Sequence, residues 1–432
     1  MKRILSGNRY YCLIVVLIGL VQTTVNAQNV IIIEDCLQQA VSSYPLVRKY
    51  GLIEQSKEYS VNNIAKSYLP QISINAQTSY QSDVTELSLD LDHLPFDLDI
   101  PSLSKDQYRA TVDITQKIWD GGVTNAQKEL TLENSEIEKK IIDVSLQDVK
   151  SKVIELYFSI LVIDKQLSLL DLSEKNLQTN RKVTRSMVDN GVATLGDIDL
   201  IDVELINNEK KKIEYNAKRK AYMKMLGLFL NQTLPDDILL HEPVVSTVLT
   251  KEINRPELQL YDTQNSLFDI RHKLIEANNM PKIGLFAQGG YGRPGLNMLE
   301  DKFEFFAVGG IRLTWNIGSL YTRKNDKRLI ERKRQSTEVQ RETFLFNTNI
   351  ELTKEETEIQ KFKELISKEN EIVQLRTRIK EQSESKYRNG VYQINELIRD
   401  INSENQAMQN KVLHEIYYLM KIFNYNHIQG NK

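Results

Sequence analysis

The sequence predicts a mainly α-helical protein with a small β part, arranged as a duplicated unit of helix, strand, strand and long helical hairpin. Three observations predict it. All nine prolines fall outside two long tracts, residues 102–234 and 295–432, as expected where helix interiors exclude proline. Charged residues make up 26% of the 432 residues, which suits long solvated helices. The prolines also repeat: Pro45 and Pro256 lie 211 residues apart, as do Pro70 and Pro281, so both halves carry the same 25-residue interval.

The chain opens with Lys2, Arg3 and Arg9, an apolar run from Cys12 to Val21, and the small-residue ending Val25-Asn26-Ala27. Residues 1–27 therefore read as a secretory signal peptide. No later segment approaches the roughly 20 apolar residues of a membrane-crossing helix. Cys12 follows no lipoprotein-type box, so no lipid anchor is expected. Without the three basic residues of the leader, 53 basic residues face 58 acidic ones, a net charge of −5. That balance disfavours nucleic acid as a partner. Cys36 is the one cysteine of the processed chain, so stability must come from packing rather than an intrachain disulfide.

Residues 28–230 form the predicted first repeat, 231–255 a linker, 256–424 the second repeat and 425–432 a tail. Beyond the first strand the displacement between repeats changes. Asn190-Gly191-Val192 matches Asn389-Gly390-Val391 at 199, and the same 199 superposes Leu146, Val153, Ile160 and Leu167 on Leu345, Leu352, Ile359 and Ile366. The looser echo of Trp119-Asp120-Gly121-Gly122 in Trp315-Asn316-Ile317-Gly318, at 196, is out of register by three, and Ile118 pairs with Ile317 instead. The first half thus holds 12 extra residues between Tyr80 and Tyr108.

Strands are predicted at about 71–80, 108–118, 282–291 and 305–317. In the first, Ile72, Ile74, Ala76, Thr78 and Tyr80 share one face while Gln71, Ser73, Asn75, Gln77 and Ser79 share the other. Val112 and Ile114, Ile283 and Leu285, and Ile311 and Leu313 occupy the corresponding apolar positions. Strands of about ten residues suit either a tilted membrane crossing or soluble hairpins packed on a core. The wet face favours the membrane, because it fits a water-filled lumen while the other face has no partner except lipid. Phe286 and Phe306 run against this on the second hairpin. Tyr80, Tyr108, Tyr291 and Phe303 cluster at one end, and Trp119 and Trp315 at the other, as interfacial girdles would. Four strands cannot close a barrel that needs about eight or more, and lipid does not tolerate an open edge. A membrane sheet of this size requires more than one chain.

From Ile142 the apolar residues Leu146, Val149, Val153, Leu156, Ile160, Ile163, Leu167 and Leu170 follow at alternating steps of four and three, a coiled-coil seam. Helical hairpins are predicted at about 124–230 and 323–424, turning at the two Asn-Gly pairs, with Thr194 and Asp197 as a capping box. A helix from Thr124 to Asp189 would be roughly 100 Å long, deeper than any globular core. Each turn lies at the far end of its hairpin from the strands.

These features, with the Arg-Pro-Glu-Leu at 255–258, make the chain resemble the TolC-like outer-membrane efflux proteins over roughly residues 34–424. The resemblance implies a homotrimer whose strands form a 12-stranded β-barrel in outer-membrane lipid, continued by a periplasmic α-helical barrel. It implies a passive exit duct for small molecules, driven by an inner-membrane transporter through a periplasmic adaptor. Protein secretion through the same kind of channel is the alternative within transport, and a periplasmic coiled-coil adaptor or scaffold the alternative outside it. The resemblance further implies docking at the turns, through Asn190, Gly191, Val192, Asn389, Gly390 and Val391. It also implies a pore constriction six and nine residues past the second turn glycine, at Glu396 and Arg399, with Asp400 beside them. The acid expected at the second position is replaced by arginine.

No chemistry is predicted. Gly289 to Gly295 lacks the Gly-Lys-Ser/Thr ending of a phosphate loop and reads as a strand-to-loop turn. The acidic loop from Asp83 to Asp106 lacks the central glycine and terminal glutamate of a calcium loop. The five histidines are scattered, so neither a metal, a cofactor nor a catalytic residue is expected.

Overall fold

The computed structural model describes residues 31–85, 103–236, 238–244 and 252–431. The expected signal peptide, residues 1–27, and most of the acidic loop lie outside them. Its elements run α1 (Ile33–Ser43), α2 (Arg48–Ala65), β1 (Gln71–Tyr80), β2 (Asp106–Trp119), α3 (Val123–Asp189) and α4 (Leu195–Leu230). Then come α5 (Pro256–Asn278), β3 (Lys282–Arg293), β4 (Glu304–Thr314), α6 (Leu320–Arg388) and α7 (Ile394–Gln429). This is the duplicated, mainly α order expected from the sequence. No helix among the described residues is long and apolar enough to cross a membrane.

The chain divides into two compact units. One comprises residues 46–145 and 254–350 and holds the sheet. The four strands are antiparallel in the order β1-β2-β3-β4. Their pairing carries both displacements of the repeat: Gln71 pairs with Thr115, and Lys282, 211 residues on, pairs with Thr314, 199 residues on. Beyond that point the halves differ. β2 continues to Trp119 against β3, through an irregularity between Lys117 and Trp119. β4 stops at Thr314, and Ile317 lies in a 3-10 turn, Ile317–Ser319, not in the strand. The reason is local: β4 is an edge with no partner to extend along, and the Trp315 indole donates to the Asn279 carbonyl at 3.0 Å, which turns the chain away.

The other unit comprises residues 31–45, 146–253 and 351–431 of the described chain. Its core follows the predicted seam, with Leu146, Val149, Val153, Leu156, Ile160, Ile163 and Leu170 all buried. α1 is fixed by Cys36 and Ala40, which are fully buried, and burial pushes the Cys36 thiol up to about 12. Just before α1, Ile31 bridges Leu240 in parallel, and the Tyr157 hydroxyl donates to the carbonyls of Ile31 and His241. The predicted tail is instead the end of α7. Tyr425 packs with Leu352, Ile359 and Ile422, and the helix closes on Gly430 at φ 82°, a left-handed cap that glycine adopts without strain.

Candidate functional site

The sheet sorts its side chains by register. Ile72, Ile114, Ala287 and Gly309 form one row, Ile74, Val112, Gly289 and Ala307 the next, and Leu285 with Ile311 and Ile283 with Leu313 continue the same face. All eight residues expected to face lipid therefore share one side. At one end Tyr291 stacks on Phe303 at 5.5 Å and approaches Phe305 at 4.6 Å.

The opposite face is polar and organised around Asp113. Its carboxylate accepts from Asn75 Nδ2 at 2.7 Å, Thr111 Oγ1 at 3.0 Å and Gln288 Nε2 at 2.5 Å, which ties three strands together. On either side of this hub lie the two phenylalanines that seemed out of place in the sequence. β3 and β4 each carry Phe-Ala-x-Gly-Gly, at 286–290 and 306–310, and run antiparallel, so the phenylalanine of each strand pairs with the last glycine of the other. A Cβ on Gly290 would lie 2.6 Å from Phe306 Cζ, and one on Gly310 3.1 Å from Phe286 Cε1. Glycine is what lets each ring approach the neighbouring strand so closely. Arg312 then covers Phe286 at 4.6 Å and Arg109 covers Phe306 at 5.6 Å, contacts in which a guanidinium meets the negative face of a ring. Sequence reading missed this because it scored the phenylalanines as apolar intrusions; the repeated pentapeptide was the available signal. Gly289, Gly290 and Gly292 are strand residues paired on both sides, not a turn, and the backbone amides a phosphate loop would offer are committed to the sheet.

The hinge from β2 to α3 was also missed. Asp120 is buried and receives the Thr124 amide at 2.9 Å, the Thr124 hydroxyl at 2.5 Å, the Tyr68 hydroxyl at 3.0 Å and the Gly122 amide at 3.1 Å. Burial alone would raise the pKa of this carboxyl, but the hydrogen bonds outweigh it and hold it below the ordinary range. Gly121, at φ 72°, meets Met280 Cβ and the Ala277 carbonyl so closely that a side chain would collide with the end of α5.

In the other unit, the helical turns are near copies. Gly191 (φ 77°) and Gly390 (φ 71°) adopt the left-handed conformation. The Val192 amide donates to the Met187 carbonyl at 2.8 Å and the Val391 amide to the Lys386 carbonyl at 3.0 Å, closing each helix by a six-to-one bond. The Asn190 and Asn389 side chains donate to the carbonyls of Ser186 and Ser385. A Cβ on Gly390 would touch Val192 Cγ1 at 3.8 Å, so the two turns sit side by side. Val192 is 63% and Val391 76% exposed, above a core of Leu177, Ile201, Tyr387, Ile394, Leu397 and Ile401.

The three expected constriction residues separate. Glu396 is half-buried, and its carboxylate accepts the Gln393 amide at 3.2 Å as the capping box of α7. Arg399 is exposed. Asp400 turns into its own chain, accepting from the Ser383 hydroxyl at 2.6 Å with Arg399 Nε at 3.9 Å. Only 7% of Asp400 is exposed, so as a pore-lining group it is corrected to a buried tie between α6 and α7. Its neighbours Lys380 and Glu404, paired at 3.2 Å, join the same two helices.

Against this geometry, residues 36–227 match the family model described as outer membrane efflux protein. This segment is similar to the outer membrane efflux protein family. The fold is shared more widely. The outer-membrane channel OprN is 13% identical, with 93% of this chain and 90% of that one covered at a TM-score of 0.66. The outer membrane protein VceC from Vibrio cholerae is 12% identical, covering 92% of this chain and 96% of its own, at 0.65. The MtrE outer membrane channel of Neisseria gonorrhoeae, in its open state, is 14% identical, covering 92% and 89%, at 0.63. At these identities the likeness establishes the fold. No curated protein sequence matches the chain. The matched segment holds the first hairpin of strands and most of the first hairpin of helices, and the second half repeats its strand register.

Proposed function

We propose that the protein is the outer-membrane channel of a tripartite efflux system, a passive exit duct for small molecules. The observation that carries this reading is the four-stranded sheet with one face apolar but for Gln116 in its Leu285 row, one polar face and two unpaired edges, β1 and β4. Such a sheet suits lipid on one side and water on the other only when its edges are paired by further copies. A homotrimer gives the twelve strands of a closed barrel. Exposed apolar residues on the helices support the same requirement: Val203, Ile206 and Ile213 in one unit, and Leu329, Val339 and Phe346 in the other. In this reading the helices extend the duct into the periplasm and the turns meet an adaptor that couples it to an inner-membrane transporter. Glu396 and Arg399 stand near the periplasmic constriction.

Fractionation tests the reading. The protein is expected to stay with outer membranes through a high-salt wash, to need detergent for release, and to emerge at three times the chain mass. Release by salt alone, as an adaptor or scaffold would show, overturns it.

A further inference from the structure

We propose that the polar face of the sheet is a cationic strip floored by aromatic rings, and that Arg109 and Arg312 on it favour organic anions carrying a flat apolar part. The inference rests on the duct reading, which places this face on the lumen. By register the face carries Arg109, Lys117, Lys282 and Arg312 against Asp113 and, at its end, Glu304. The four cations outnumber the acids. Asp113 keeps its charge, but its oxygens are taken up by three neutral donors, and Glu304 is paired with Lys302 at 2.7 Å. Among the described residues, neither Arg109 nor Arg312 takes part in an ion pair, although each is fixed over a ring. A guanidinium placed over a phenylalanine, with no carboxylate partner of its own, keeps N–H groups to fork onto a carboxylate or sulfonate. Phe306 itself is buried and Phe286 half-buried, but both arginines are exposed, so the outer face of each guanidinium offers a planar surface on which an apolar plate can stack. The two arginine–phenylalanine pairs lie on either side of Asp113, so a passing solute meets the arrangement twice.

Planar-bilayer recordings of the detergent-extracted full protein decide the matter. Naphthalenesulfonate is expected to reduce the current at about tenfold lower concentration than hexanesulfonate or naphthylmethylammonium. Replacing both arginines, Arg109→Gln with Arg312→Gln, should abolish that difference and move the reversal potential in a KCl gradient towards potassium. Arg109→Lys with Arg312→Lys should keep the reversal potential and still lose the aromatic preference, because an ammonium keeps the charge without the planar fork. Equal potency of the three probes on the unsubstituted channel overturns the inference even if the glutamine variants fail to assemble. Conducting glutamine variants with unchanged block overturn it as well. A detergent-extracted trimer with no conductance at all removes the duct reading, and this inference with it.

Discussion

The two strand hairpins share one backbone plan and solve its polar face differently. In β1 and β2 the face is held by hydrogen bonds that converge on Asp113, with Asn75 and Thr111 as donors from the two strands. In β3 and β4 the same layer is held by phenylalanine laid on glycine and closed by arginine. The other face is more uniform in kind, though not in size: Ile72, Ile114, Ile74 and Val112 of the first hairpin share rows with Ala287, Gly309, Gly289 and Ala307 of the second, whose own branched residues, Leu285, Ile311, Ile283 and Leu313, lie further along. The difference teaches where the constraint lies. In the duct reading proposed above, the aliphatic face meets lipid, which accepts few chemistries, whereas the polar face meets water, which accepts any that satisfies its polar groups.

The strongest way to break this comparison is to put charge on the uniform face. Val112→Asp in the first hairpin and Leu285→Asp in the second should both impair membrane assembly, by less than the roughly 2–4 kcal/mol that a basic residue costs near the midplane. Ser73→Asp on the polar face should leave assembly nearly unchanged. A folding titration into lipid vesicles measures all three, and equal losses on both faces would remove the distinction between them.

The second test separates the hairpins from each other. Gly290→Val needs space that Phe306 and the Ala110 carbonyl occupy, at 2.6 and 2.8 Å from the added Cβ. A loss of about 1–3 kcal/mol is expected, as in other overpacked sites. Thr111→Val, a similar volume on the strand beside it, removes one of three donors to Asp113 and should cost about 1 kcal/mol. Combining Gly290→Val with Phe306→Ala should recover the part of the loss that comes from the ring; no recovery would place the strain at the Ala110 carbonyl, which the double variant leaves in place.

These contrasts also mark what the sequence disclosed. Alternation in β1 and the heptad seam of α3 were legible because each repeats one physical demand along a regular element, and Ile72 or Val153 announces its face by spacing alone. The separate fates of Glu396, Arg399 and Asp400 were not legible. They sit within five residues on one helix, and whether a carboxylate caps, pairs or points outward depends on what the neighbouring helix presents, here Ser383 to Asp400. Phe306 was misjudged for a related reason. Its partners, Gly290 and Arg109, come from two other strands, and only the register brings them together.

The hinges give a third comparison, with a pH dependence. Asp120 ends β2 in a network of four donors, while the matching hinge after β4 uses Trp315 and Ser319 on Asn279, with no carboxylate. Because the folded pKa of Asp120 is lowered, its stabilisation is complete above the unfolded carboxyl value of about 3.9 and is lost as pH falls through the folded value. Asp120→Ala should cost about 1 kcal/mol at neutral pH, with loss of the cap, and the gap to the native protein should close in acid. Unfolding curves at pH 7 and pH 3 would show it, and a gap of constant size would mean that the carboxylate charge plays no part.

The smallest effects on stability, and the sharpest on function, are expected at the turns. Val192→Asp with Val391→Asp alters side chains that are mostly exposed, so trimer assembly should be normal while export falls through loss of adaptor contact. Undiminished export would place that contact elsewhere. Glu396 needs a finer probe, because its carboxylate already caps α7 through the Gln393 amide. Alanine there would confuse a lost cap with a lost charge. Glutamine keeps a side-chain oxygen for the capping box, so Glu396→Gln should change stability by only a few tenths of a kcal/mol while removing one negative charge per chain. If the second hairpin narrows the duct at this residue, three such charges lie near its axis, and the substitution should weaken cation selectivity and block by multivalent cations. Single-channel recordings with unchanged selectivity and block would leave Glu396 as a helix cap alone, and would make the first hairpin's Thr194 and Asp197 its equivalent in function as well as in position.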